Sequence, residues 1–270
     1  MKYLEIAQGS PRNRGLLIAK ESLVKYIKKD EALFRSTYLY DDDAMDYVNS
    51  KGSLKDFFGK RYIDKIILDI DKKDNSDELT QSKTIEIVNK LEEFKVYDDS
   101  YMIFFSGTGY HIIVTNDVFG FEPSPDLPLK VKSTLVKLFP EVDPAVFIRT
   151  AIYRVQHTIN KKKDLYKIPL TKEELRNFTP IRIKEMAEKN KEDKKDSKDM
   201  TGTEIFLPAD TDEEIQRINS MNDVSARMTK RLREKAIDKS GGLNEAELPD
   251  VKVDLQRQAT QMHANKFRGG

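Results

Sequence analysis

The 270-residue chain has no cysteine. That excludes disulfides, and it excludes zinc or iron–sulfur sites held by thiolates. It fits a reducing compartment. No apolar run approaches the roughly 18 residues a membrane span requires. The N-terminal stretch MKYLEIAQGSPRNRG lacks an apolar core of signal-peptide length. A soluble cytoplasmic protein without a membrane partner is expected. Nor is there an excess of one charge, because 47 Lys and Arg face 46 Asp and Glu, for a formal net charge of +1. A uniformly basic nucleic-acid binder is therefore not indicated, although a local basic groove fits inside a balanced total. Three motifs are also absent: the P-loop GxxxxGK[ST], the dinucleotide fingerprint GxGxxG, and the zinc-protease HExxH.

Charged residues make up 34% and apolar residues 38%, enough for one core of about 150–200 residues plus an appendage. Leu17, Val24, Ile27 and Leu33 recur at helical spacing within 16–34, and the Asp41–Asp43 cluster begins an acidic loop or a helix. Residues 62–70 predict a strand. Ile85, Val88, Leu91 and Phe94 predict a helix over 80–94, capped by Thr80 or Ser82. YMIFFSGTGYHIIV, residues 101–114, reads as two strands joined by a short Gly-containing turn. A Pro-rich loop and a helix over 129–139 follow. From Lys184 to Asp199 the composition turns to alternating charge, a solvated helix or a linker. The implied division is a domain over 1–183, a linker over 184–202, and a helical extension or small accessory domain over 203–270.

The strand YIDKIILDIDKKD ends in Asp69 and Asp71. Residues two apart on a strand share a face, about 6–7 Å apart along it. Such a pair suits a hard cation such as Mg²⁺ or Mn²⁺, and it equally suits a solvated strand end. An EF-hand is excluded, since Lys73, Asp74 and Thr80 occupy its fifth, sixth and twelfth positions. In Ser106–His111, Gly107 and Gly109 permit unusual torsions and close approach, with a hydroxyl and an imidazole beside them. That is a cradle for a triphosphate or a plain hairpin turn. Asp143 precedes Pro144, and Arg154, Thr158, Asn160 and the run Lys161, Lys162, Lys163 follow.

In combination these segments resemble the archaeo-eukaryotic primase superfamily. That family is marked by an apolar strand ending in DxD, an S-x-H-type motif, and a third Asp before an R-x-x-x-[ST]-x-[NH]-x-K segment. Here those are Asp69 with Asp71, Ser106 to His111 about 35 residues on, and Asp143 with Arg154, Thr158, Asn160 and Lys162. The resemblance covers about residues 60–172 and includes the closing strand YKIPL. It implies an α+β fold, an RRM-like antiparallel palm sheet with flanking helices plus an N-terminal αβ unit. It also implies a DNA primase or primase–polymerase, a template-directed nucleotidyltransferase of DNA replication that takes NTPs or dNTPs. Asp69, Asp71 and Asp143 would hold two Mg²⁺ or Mn²⁺ ions. Ser106, Gly107, Gly109, His111 and Arg154 would face the triphosphate, and Thr158 and Asn160 would belong to the nucleotide-binding set. Lys161, Lys162 and Lys163 would follow the phosphates of a single-stranded DNA template and primer.

The pattern departs from the family in three ways. Lys162-Lys163-Asp164 stands where K-T-G is common. The Ser-x-His motif is one residue short and lacks a basic residue, so Arg35, Arg149 or Arg12 would supply that charge. Without cysteine there is no zinc cluster of the kind cellular small primase subunits carry. The chain looks closer to phage and mobile-element primase–polymerases, which work in the host-cell cytoplasm with a replicative helicase on another chain or in a further C-terminal region. The alternative is a catalytically silent nucleic-acid-binding replication scaffold on the same fold. A metal-dependent nuclease would have little use for the triphosphate cradle.

Overall fold

The computed structural model describes residues 1–28 and 30–189. The strands are β1 (Tyr3–Gln8), β2 (Leu16–Ala19), β3 (Leu33–Ser36), β4 (Lys65–Ile70), β5 (Tyr101–Phe105), β6 (Tyr110–Thr115), β7 (Ile152–Arg154), β8 (Ile159–Asn160), β9 (Leu165–Tyr166) and β10 (Ile168–Leu170). The helices are α1 (Asp42–Lys51), α2 (Asp77–Glu93), α3 (Leu127–Leu138), α4 (Lys172–Asn177) and α5 (Pro180–Lys189). The class is α+β. Two antiparallel four-stranded sheets run in the orders β2-β1-β3-β7 and β10-β5-β6-β4, and β8 pairs with β9 alone. Among the described residues no helix is long and apolar enough to cross a membrane.

The first sheet buries Leu4, Ile6, Ile18 and Leu33 in one cluster with Leu39 and Val155. Leu23, Tyr26 and Ile27 pack against it from a 3₁₀ segment over Lys20–Tyr26 and the residue after it. The helical spacing in 16–34 is therefore overruled. Leu16–Ala19 pairs with β1 from Tyr3↔Ala19 to Ile6↔Leu16, and Leu33 pairs with Gln8. Ladder bonds to β1 satisfy the backbone of both strands and leave only the seven-residue 3₁₀ segment as helix between them.

In the second sheet Ile66, Leu68 and Ile70 are buried on one face of β4, and Ile67 and Asp69 alternate to the other. Helix α2 packs against β4 and β6, burying Thr84, Ile87, Val88 and Leu91. It begins three residues earlier than the apolar spacing predicts. Ser76 is the cap, its side chain accepting from the Leu79 amide at 3.1 Å, with Asp77 and Glu78 in the first turn. Carboxylates there favour the positive end of the helix. Thr80, expected as a cap, lies inside the helix and donates its hydroxyl to the Ser76 carbonyl at 2.8 Å. The hairpin of β5 and β6 forms as the sequence predicts, closed by the Ser106 amide on the Gly109 carbonyl at 2.8 Å. The domain boundary at 183/184 falls inside α5, whose Ile183 and Ala187 are fully buried. Residues 190–202 of the expected linker and the extension over 203–270 lie outside the described residues.

The sheets are joined by an ion cluster. Asp64, the residue before β4, pairs with Arg35 of β3 at 3.3 Å and with Lys20 at 2.9 Å. Burial works against ionisation of Asp64, but Arg35 and Lys20 outweigh it and pull its carboxyl down to about 2. A depressed folded-state value means the contribution is present in full above the unfolded value near 4 and is lost as pH falls through about 2. The shift corresponds to about 2 kcal/mol. Asp64→Asn is therefore expected to lower stability at pH 7 by about that amount, and the gap to the parent should shrink below about pH 4 and close as pH falls through about 2 in denaturant titrations.

Candidate active site

The site forms where β4 and β6 end together. Asp69 lies directly opposite His111 in the ladder, so both side chains project from the same face. His111 Nε2 is 3.3 Å from Asp69 Oδ1, and that oxygen is buried without a well-directed hydrogen bond. Asp143 is brought in by the backbone, its amide donating to the Asp69 carbonyl at 2.8 Å on the outer edge of β4. The Asp143 carboxylate caps the next turn, accepting from the Ala145 amide at 2.9 Å, and meets Lys73 Nζ at 3.3 Å. Asp71 sits one residue beyond β4 and is exposed.

These carboxylates feel one another. The Asp71 carboxyl is pushed up to about 6 by partial burial, then by Asp69 and Asp143, with Lys73 opposing. Burial also penalises Asp69, but His111, Lys167 and Lys73 more than offset this and hold its carboxyl below the ordinary range. The buried Asp69 Oδ1, served only by His111 Nε2 at 3.3 Å, and the burial and repulsion at Asp71 are what a hard cation would relieve, and an all-carboxylate set suits Mg²⁺ or Mn²⁺. The donor chemistry fits a divalent ion. The side chains are not gathered around one: among the described residues no three Asp, Glu, His or Cys stand close enough to share a metal. Lys73, more than half exposed, holds the cationic place beside Asp143.

The turn Ser106–Gly109 borders the acids. Gly107 needs its missing side chain for conformation, with φ at +92°. Gly109 needs it for space. A Cβ there would lie 2.2 Å from the Ile70 carbonyl oxygen and 3.2 Å from the Asp71 Cα. The close approach at Gly109 is thus to the chain's own β4 end, which it packs into place. The Ser106 hydroxyl, 3% exposed, accepts from the Gly109 amide at 3.2 Å.

Beneath the turn lies a buried run of bases. Arg154 donates to the Ser106 carbonyl. Burial pushes the Arg154 guanidinium down to about 10, with Asp69 opposing. Lys167 is fully buried; its Nζ lies 2.8 Å from His111 Nδ1 and donates to the Arg154 carbonyl at 2.9 Å. Burial, then Arg154, hold the Lys167 ammonium well below its ordinary range, with Asp69 opposing. His111 is driven down to about 4 by burial, then by Lys167, against the pull of Asp69. The imidazole is neutral at pH 7. With Lys167 donating to Nδ1, its own proton sits on Nε2, toward Asp69.

Of the residues singled out in the sequence, Asp69, Asp71, Asp143, Ser106, Gly107, Gly109, His111 and Arg154 gather here. Asn160 stands beside the turn, since a Cβ on Gly107 would come within 3.3 Å of it. Thr158 is fully buried and spends its hydroxyl on the Val155 carbonyl at 2.6 Å, so its side chain supports the loop rather than facing a ligand. Lys161, Lys162 and Lys163 are exposed on the turn between β8 and β9. Asp164, where the family pattern has Gly, keeps a glycine-like φ of 55°. Arg35 is committed to Asp64, and Arg149 lies over the Phe58 ring at 4.9 Å. Lys167 is the residue the sequence reading passed over. Its signal was a single lysine inside the apolar strand YKIPL.

No family model, curated protein or solved structure matches the chain.

Gly109→Ala forces β6 away from the Ile70–Asp71 backbone. Overpacking of this kind costs about 2 kcal/mol. The expected result is a matching loss in denaturant midpoint, with amide shifts concentrated at residues 69–71 in NMR spectra. Unchanged shifts there would contradict the packing role.

Proposed function

We propose that the chain is a template-directed nucleotidyltransferase, a DNA primase or primase–polymerase of the archaeo-eukaryotic primase type. The observation that carries this reading is the nearness of Asp69, Asp71 and Asp143 to one another at the end of β4, beside a glycine turn and a neutral histidine. The finer fold assignment, an RRM-like palm sheet bearing the acids plus an N-terminal αβ unit, belongs to the same proposal. It is supported by the antiparallel sheet that bears Asp69 and His111.

On this reading Asp69, Asp71 and Asp143 would hold two divalent ions, Mg²⁺ or Mn²⁺, which would supply activation of a 3′-hydroxyl and neutralisation of the charge on the leaving pyrophosphate. The chain's own residues do the positioning, which is most of what phosphoryl transfer asks of a protein. The Nε2 proton of His111 is a donor for a triphosphate oxygen, and the buried Lys167 behind it fixes that orientation. Arg154 stiffens the Ser106–Gly109 turn through the Ser106 carbonyl and adds fixed positive charge. Asn160 borders the nucleotide, and the exposed Lys161, Lys162 and Lys163 contact template or primer phosphates. The substrates are NTPs or dNTPs on single-stranded DNA, with a replicative helicase as a further partner.

The competing reading is a catalytically silent nucleic-acid-binding scaffold. The pairing of Lys73 with Asp143, which leaves the acids unconverged, favours it.

The deciding assay offers single-stranded DNA, with and without an annealed primer, together with labelled NTPs or dNTPs and Mg²⁺ or Mn²⁺. The parent is expected to make or extend strands. Asp71→Asn should lose about a thousandfold in rate, the scale of several kcal/mol of charge stabilisation, while DNA binding persists. No product from the parent under any condition, with DNA binding intact, would establish the scaffold.

A further inference from the structure

Phe58 is held out in solvent by a clamped loop between α1 and β4. Its neighbour Phe57 faces inward, buried against the Tyr47 and Tyr40 rings at 5.3 and 6.3 Å. Gly59 folds across that ring, so closely that a Cβ there would lie 2.2 Å from the Phe57 Cζ. The Arg61 side chain, itself buried, donates to the Phe57 carbonyl at 2.7 Å and to the Gly59 carbonyl at 3.0 Å. It therefore grips the main chain on both sides of Phe58, whose own side chain projects outward, leaving the residue 67% exposed.

The other half of this surface comes from the chain after Asp143. Asp143 caps a 3₁₀ turn over Pro144–Phe147, and Ile148 and Arg149 follow it. The carbonyls of Val146 and Phe147 accept from the Thr37 and Tyr38 hydroxyls at 3.1 and 2.9 Å, and the Ala151 carbonyl accepts from the Thr37 amide at 2.9 Å. This loop is thus pinned as firmly as the first. Ile148 is exposed, and the Arg149 guanidinium lies over the Phe58 ring at 4.9 Å. The loop that bears Phe58 is basic, since residues 51–61 carry exposed Lys51, Lys55 and Lys60 against one acid, Asp56. A 3₁₀ turn rises about 2 Å per residue, which keeps the Arg149 Cα within about 15 Å of the Asp143 Cα.

We infer that Phe58 and Arg149 form a stacking platform for a base of single-stranded nucleic acid, with Lys55 and Lys60 meeting the phosphates on either side of that base. Aromatic rings and guanidinium planes both accept an unpaired base, and cations beside them track the backbone. Lysines are depleted at protein–protein interfaces, so the basic loop favours a nucleic acid over a protein. Both loops are fixed before a ligand arrives, which lowers the cost of ordering them on binding. The choice of ligand rests on the nucleic-acid reading of the chain, but the platform requires neither metal nor turnover.

The test measures binding of a labelled oligothymidylate of about 12 nucleotides to the full chain by fluorescence anisotropy, in EDTA and without nucleotides. An abasic strand of the same length and charge is the comparison. Phe58→Ala should weaken the oligothymidylate about tenfold and leave the abasic strand unchanged. Lys55→Gln with Lys60→Gln should weaken both strands alike and flatten the salt dependence. The chain contains no tryptophan, so Phe58→Trp keeps an aromatic platform and adds a unique fluorophore, which the oligothymidylate should quench and the abasic strand should not. Equal losses for both strands in Phe58→Ala, or no loss for either, would overturn the inference. So would a parent that fails to saturate at up to about 100 μM. A parent dimer that Phe58→Ala turns into a monomer, with DNA binding unchanged, would overturn it in favour of a contact between copies. Asp71→Asn should bind as the parent does. Phe58-dependent binding without strand synthesis removes the nucleotidyl-transfer reading alone, and synthesis with Phe58-independent binding removes the platform alone.

Discussion

Three carboxylates near the end of β4, close enough to act on one another but not gathered around one point, are the constraint on which this site depends. Asp143 is drawn to Asp69 by a main-chain hydrogen bond of 2.8 Å, and Asp71 follows two residues after Asp69. Burial, then the like charges of Asp69 and Asp143, raise the cost of ionising Asp71. The chain answers the repulsion only in part. Lys73 reaches Asp143 from an exposed position, and the buried Oδ1 of Asp69 has only the loosely directed contact with His111 Nε2 at 3.3 Å. Packing set against electrostatics in this way is common at functional sites and costly elsewhere.

Behind the acids the arrangement is reversed. The part-buried Arg154 and the buried Lys167 have no carboxylate ion pair among the described residues, and each donates to a backbone carbonyl. Their field and burial keep His111 neutral, and Lys167 fixes which nitrogen carries the imidazole proton. The glycine turn is the mechanical link. Arg154 grips its first carbonyl, and Gly109 seats it against the end of β4. Acids, histidine and turn are therefore coupled, and a change at one is felt by the others.

Much of this was legible in the sequence because it depends on local chemistry. The Ile-rich run ending in Asp69 and Asp71, the Gly-Thr-Gly hairpin and the position of His111 follow from alternation and turn residues alone. The helix misread over 16–34 shows where local periodicity fails, since the decision there lies with β1, which offers ladder bonds to both neighbours. Thr158 looked like a ligand-facing hydroxyl because its burial is decided by a loop that folds back from β7. Lys167 was missed for the converse reason. A lysine in a strand reads as solvent-facing until the tertiary fold places it under a histidine 56 residues away.

The account rests on the acids forming a divalent-cation site next to His111. The direct measurement is paramagnetic broadening of the imidazole signals by substoichiometric Mn²⁺, which needs no substrate and no turnover. With Nε2 at 3.3 Å from Asp69, His111 should broaden first among the three histidines, and Asp71→Asn with Asp143→Asn should abolish the effect. No broadening of His111, or equal broadening of all three that survives the double substitution, would contradict the site.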